Sequence, residues 1–220
     1  VATMCIRRCA PDALHLYVID ARGDAAWTAF EASAHCGAVV RVAETERIIR
    51  LLARLAETID RRSTDGTNEP VIVVVIDGFG AVRDALGDVA HGETARRLDR
   101  LLRDGPAVGV VAVVTSDGSS SAGLAVPRAV TWVFHVGDAG VARTAGLRAP
   151  PVGAGVPGRL RIVESGLEGQ VVFGFEASAS GEHDDVVDVD GRAEPVEVLP
   201  DVVDADALDV RFPPSCPSTP

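Results

Sequence analysis

Residues Val71–Asp77 read VIVVVID, an unbroken run of apolar β-branched residues that ends on a carboxylate. An apolar run without alternation fits a central parallel strand, because both of its faces are covered and neither meets water. Outward from it, residues 109–115 (GVVAVVT) have the same character, and Leu14–Asp20 (LHLYVID) is a short buried run that also ends on Asp. Residues 38–41 predict a brief further strand and residues 129–136 (AVTWVFHV) a fourth long one. Helical patterns lie between them. Residues 44–62 place Ile48, Leu51, Leu52, Leu55 and Ile59 at helical spacing, with Arg and Glu on the other face. Weaker helical patterns cover 1–10, 24–34, about 93–103 and 138–145. A Pro/Gly loop at 150–157 precedes an expected hairpin formed by 160–164 and 170–175. Strands alternating with helices predict an α/β fold with a mainly parallel sheet flanked by helices.

The chain has 220 residues, 47% of them hydrophobic, enough for one domain with a buried core and some extra chain. Every Lys/Arg position is Arg. These residues therefore supply no P-loop lysine, Schiff-base lysine or lysine general base. Residues 176–220 carry 12 acids and 2 Arg, while 1–175 are close to neutral with 20 acids and 19 Arg. The expectation is a domain over 1–175 followed by an acidic, flexible C-terminal linker or tail over 176–220, with a short extended island at 195–200 (PVEVLP). Neither part has the basic excess of a self-sufficient nucleic-acid binder. Cys5, Cys9, Cys36 and Cys216 make no zinc pattern and read as small buried hydrophobes. The five His are scattered, without an HxxxH pair. No run reaches the length of a transmembrane helix.

Asp77 is the leading site candidate. In an open parallel sheet, ligands sit at the carboxyl ends of the strands, and an acid there can hold the water shell of a nucleotide's Mg²⁺. A strand-end Asp also caps the following turn in many α/β proteins, so both readings stand. Thr115 ends the next strand and should lie beside Asp77, where a hydroxyl can sense a phosphate, position water or simply close the strand. Asp20 can face the same crevice or cap its own turn. Residues 117–121 (DGSSS), with Gly123, have the composition of a phosphate loop but not the spacing GxxxxGK[ST], which occurs nowhere in the chain. Arg159, at an expected strand start, suits either a finger onto a neighbour's phosphate or a surface ion pair.

The ordered series LHLYVID, HCGAVV, ETERIIRLLARLAETIDRR, VIVVVIDGFGAV and GPAVGVVAVVTS resembles the FtsK/SpoIIIE ATPase domain. The nearest variety is that of actinobacterial multi-ATPase proteins, including the EccC-like ATPases of type VII secretion. PGRLRIVESGLEGQVV and PVEVLP resemble the end of such a domain and its linker, so the likeness covers about residues 1–200. The resemblance implies a RecA-like P-loop core in which this chain begins inside the helix after the P-loop and lacks Walker A. It implies that Asp77 is the Walker B acid, holding Mg²⁺ through water in an intact domain, and that Thr115 is the strand-end sensor. It implies ATP and Mg²⁺ as the family's cofactors, with none expected for this chain by itself. It implies partner ATPase modules in a hexameric ring, DNA or a secreted protein as cargo, and a cytoplasmic place at the membrane through a larger assembly. Two departures stand out. Gly78 follows Asp77 where the family's DNA translocases usually carry Glu, and Ser116-Asp117-Gly118 replaces the usual stretch after the sensor. Both lead to the expectation of a truncated or degenerate module that does not hydrolyse ATP alone. The competing expectations are a non-catalytic α/β interaction or regulatory domain and, last, a small-molecule enzyme on a flavodoxin-like sheet, which would want an acid–base pair not visible here.

Overall fold

The computed structural model describes residues 2–87, 89–116, 134–136, 158–162, 167–170 and 191–198. Its centre is a four-stranded parallel sheet of β1 (Leu14–Asp20), β2 (Cys36–Arg41), β3 (Val71–Asp77) and β4 (Val110–Val114), in the order β2-β1-β3-β4. Strands β1 and β3 run in full register from Leu14 opposite Val71 to Asp20 opposite Asp77. The two carboxylates thus finish side by side.

Each strand serves two cores, which is why its sequence does not alternate. Tyr17, Ile19, Val74 and Ile76 face one cluster, while Leu16, Val18, Val73 and Val75 face the other. The first cluster is closed by α2 (Thr45–Asp65), α3 (Phe79–Leu86) and α4 (Glu93–Asp104). Helix α2 buries Ile48, Leu51, Leu52, Leu55 and Ile59, the residues expected at its apolar spacing. Burying side chains of this size stabilises by about 1.5–3 kcal/mol each. The helix stops at Gly66, whose φ of 69° is cheap only without a Cβ. The second cluster is closed by α1 (Ala2–Arg8) with Phe30 and, at its margin, Trp27.

Three differences from the sequence expectations have physical causes. The helix expected over 24–34 is only a 3-10 turn, Ala25–Phe30, started by the Asp24 carboxylate, which accepts the Ala26 amide at 2.9 Å. The strand expected over 129–136 is described only as β5 (Phe134–Val136), which does not extend the parallel sheet. It pairs antiparallel with β6 (Arg159–Ile162), which pairs with β7 (Glu168–Gln170), a hairpin whose second arm lies earlier than the expected 170–175, most of which is outside the described residues. A short apolar run does not reveal which sheet it will join. The expected elements at 138–145 and 150–157 lie outside the described residues.

The third difference concerns residues 193–198, which overlap the extended island expected at 195–200 of an acidic tail. They are docked on the domain. Val196 is 2% exposed and joins the first cluster. The Ala193 amide donates to the Ala34 carbonyl and the Val196 amide to that of Gly37, so the segment straps the β2 edge. From α2, Arg47 donates to the Val196 carbonyl at 2.7 Å, Arg50 to Glu197 at 2.6 Å, and Arg54 to Glu194 and Pro195 at 3.2 and 2.9 Å. The Tyr17 hydroxyl donates to the Glu194 carbonyl at 3.0 Å. Gly37 makes the approach possible, since a Cβ there would collide with the Tyr17 ring and the Glu194 carbonyl.

Candidate functional site

Parallel strands deliver Asp20, Asp77 and Thr115 to one end of the sheet, the end where ligands bind in open α/β folds. Thr115 lies beside Asp77, as its place in the sequence predicts. Its hydroxyl donates to Asp77 Oδ1 at 2.6 Å and accepts from the Gly78 amide at 2.9 Å. The Thr115 carbonyl accepts the Phe79 amide at 2.9 Å. The first amides after β3 are therefore spent on Thr115. Gly78 adopts φ 88° to make this turn, and Phe79 behind it is fully buried.

The other oxygen of Asp77 meets a residue that the sequence reading missed. The Trp27 indole Nε1 donates to Asp77 Oδ2 at 3.0 Å. Trp27 arrives there because the loop after β1 is pinned at successive points. The Ala21 amide donates to the Asp77 carbonyl at 2.9 Å, and the Arg22 and Gly23 amides donate to Asp20 Oδ1 at 2.9 and 2.8 Å. Asp24 then caps the 3-10 turn that carries the indole. Asp20 accordingly caps its own turn, and its Oδ2 is buried without a protein partner. The sequence held no direct signal for this contact beyond a Trp in the loop after a strand-end Asp.

Asp77 itself is 9% exposed. A carboxylate that holds hydrated Mg²⁺ needs an open approach to one oxygen. Here Oδ1 already accepts from a hydroxyl and Oδ2 from an indole, and the side chain is nearly buried, so the residues present do not fit such an ion in this arrangement. Among the described residues no three His, Cys, Asp or Glu side chains gather as a metal-holding group. Arg159 lies elsewhere, on β6, with its guanidinium 3.3 Å from Glu168 Oε2 across the hairpin. Residues 117–121 lie outside the described set. His35 is a core residue whose Nε2 donates to the Cys9 carbonyl at 2.8 Å. A cavity of about 220 Å³ lies off the strand ends, beside β2, lined by Glu31, Cys36, Gly37, Ala38, Val39 and Arg47. Burial pushes the Cys36 thiol up to about 12, which leaves it inert as a nucleophile there. No described helix is long and apolar enough to cross a membrane.

No family model matches the chain, and no curated protein matches it by sequence. Solved structures do. The chain is similar to ATPases 2 and 3 of EssC from Geobacillus thermodenitrificans, with a TM-score of 0.63 at 16% identity over 96% of its own length. It also aligns with the cytoplasmic domain of EssC over 52% of its length and 25% of that chain, at 20% identity and a TM-score of 0.42. The chain spans 45% of the first of these structures, and what it shares with that structure is the fold: a mainly parallel sheet flanked by helices.

Proposed function

We propose that this chain is a degenerate module of an FtsK/SpoIIIE-like ATPase of the secretion type, one that works in a ring assembly without hydrolysing ATP by itself. The observation that carries the reading is the strand-end trio in an EssC-like ATPase fold: an acid ending β3, a hydroxyl ending β4 beside it, and Gly in place of a following Glu. The order of the sequence segments supports the same family. Chemistry argues against turnover. P-loop hydrolysis relies on a backbone amide cradle and a Lys that neutralises the phosphates, and these 220 residues hold neither GxxxxGK[ST] nor any Lys. An acid alone would add negative charge beside an anionic nucleotide.

The module's contribution is then packing against neighbouring ATPase modules. A secreted protein suits it as the assembly's cargo better than DNA, since the folded part has no basic excess. The test is a steady-state phosphate-release assay on the purified chain beside Asp77→Ala. No turnover by either protein is expected. Turnover that disappears in Asp77→Ala overturns the reading, and salt-sensitive DNA binding by the chain would reverse the choice of cargo. The second reading, an α/β interaction domain outside the ATPase family, draws on the same locked Asp77. Coding sequence immediately before Val1 separates the two, because a GxxxxGK[ST] there supports the ATPase module.

A further inference from the structure

Asp77 is where the residues present and the nucleotide chemistry of ATPase folds disagree. Its Oδ2 receives the Trp27 indole proton at 3.0 Å while Oδ1 receives that of Thr115 at 2.6 Å. Trp27 is not a loose side chain that happens to touch an acid. It is held from below by the apolar cluster on the α1 face of the sheet and from beside by Phe30, with ring centroids 5.7 Å apart. Its backbone is held by the Asp24 cap, and the loop before it is tied to both strand-end acids. A Trp buries a large apolar body and satisfies one N–H, and here the body closes the crevice while the N–H takes the acid.

We propose that Trp27 is a plug on Asp77: the indole occupies the approach that a hydrated divalent cation would need, and Asp77 serves to tie the β1 loop to the ends of β3 and β4. The acid keeps its place in the fold and loses access to the ion. Opening the site requires the Trp27 indole to leave Asp77, by a turn of its side chain or with the 3-10 turn Ala25–Phe30, and either breaks the indole bond. The inference rests on the reading of a non-hydrolysing module and explains how its acid is withheld.

The experiment is an NMR titration of the full chain labelled with ¹⁵N-tryptophan. The chain has two indole N–H signals, and Trp27→Phe assigns the one in question. Millimolar Mg²⁺ alone, and then Mg²⁺ with ATP, should leave the Trp27 signal in place and its solvent exchange slow. Asp77→Ala, which removes the acceptor of the indole proton, should shift the signal and speed its exchange. A saturable Mg²⁺-dependent shift in the wild-type chain overturns the proposal. So does an Asp77→Ala spectrum in which the Trp27 signal is unmoved. If that variant does not fold, the wild-type titration decides alone. Phosphate release measured on the same samples keeps the two ideas apart. A moved indole without turnover sinks the plug only, whereas turnover with an unmoved indole sinks the non-hydrolysing reading only.

Discussion

The Thr115 hydroxyl bridges two consecutive residues of the neighbouring chain segment, giving its proton to Asp77 and receiving that of the Gly78 amide. One small group thereby closes β4 onto the end of β3. Thr115→Val keeps the shape and removes both bonds. A hydrogen bond to a charged group is worth about 1.5–3 kcal/mol when buried and less at an exposed residue such as Thr115, where the Gly78 amide can turn to water instead. We expect Thr115→Val to lose about 1–2 kcal/mol in urea denaturation and Thr115→Ser to lose less than about 0.5 kcal/mol. Equal midpoints for Thr115→Val and wild type would show that the bridge carries no stability.

Gly78 is constrained by its backbone as much as by its neighbours. With φ at 88°, a Cβ there would sit 3.3 Å from both Ala21 Cβ and Arg22 Cγ. The left-handed conformation costs an L-residue roughly 1–2 kcal/mol before any contact is counted. Gly78→Ala should therefore destabilise by about 1–3 kcal/mol. Gly78→Glu, which places a second acid directly after Asp77, should cost at least as much and bring no ATP turnover. Turnover in that variant would show that the missing acid was the only thing lacking.

The docked segment gives a third expectation. Val196→Ala removes two buried carbon groups, worth about 1.6 kcal/mol by transfer, and leaves a small cavity. Tyr17→Phe removes one hydroxyl bond to the Glu194 carbonyl, worth about 1 kcal/mol. Both should lower the denaturation midpoint and speed amide exchange at Ala193. Unchanged exchange in both variants would mean that the segment is not seated as described.

Cys36 should be the slow thiol. With its pKa pushed up to about 12 by burial, its thiolate at pH 8 is roughly a thousandfold scarcer than that of a free cysteine. The higher intrinsic nucleophilicity of a basic thiolate recovers part of this, which leaves alkylation by iodoacetamide about a hundredfold slower in the folded chain than in the unfolded one. Peptide mapping after timed alkylation measures it, and labelling of Cys36 at the free-thiol rate would refute it.

His15 sets a mild pH dependence. Burial holds its pKa below the ordinary value, opposed by its link to the Gly191 backbone and reinforced by Arg62. The unfolded chain then binds more protons than the native one in this range, so stability rises with pH. The contribution is complete above the unfolded value, about 6.5, and fades as pH falls toward the lower folded value. Carboxylates with ordinary values stay ionised between pH 7 and 5.5, and comparison with His15→Gln separates His15 from the other four His. Melting temperature should drop across that interval in the wild type and drop less in His15→Gln. Parallel slopes in the two proteins would remove His15 as the cause.

Strand character was legible wherever both faces of a strand were covered. Val71–Asp77 and Leu14–Asp20 announced themselves by composition, and α2 by the spacing of its five apolar residues. The side-by-side placement of Asp77 and Thr115 followed from parallel register. The Trp27 contact was not legible, because it depends on the path of a 3-10 turn whose Ala-rich sequence is equally at home in a helix. The seat of 193–198 was hidden for a different reason: its partners bind main-chain carbonyls, which every sequence has. Residues 134–136 were misplaced because strand propensity says nothing about which sheet a strand enters.

That seat has a practical consequence. Arg47, Arg50, Arg54 and Tyr17 all take acceptors from residues 194–197. Trimming the chain at residue 175, to shed an acidic appendage for crystallisation or expression, would bare three guanidinium groups and a phenol in one stroke and leave the margin of β2 uncapped. The cut would fall within the domain in all but numbering.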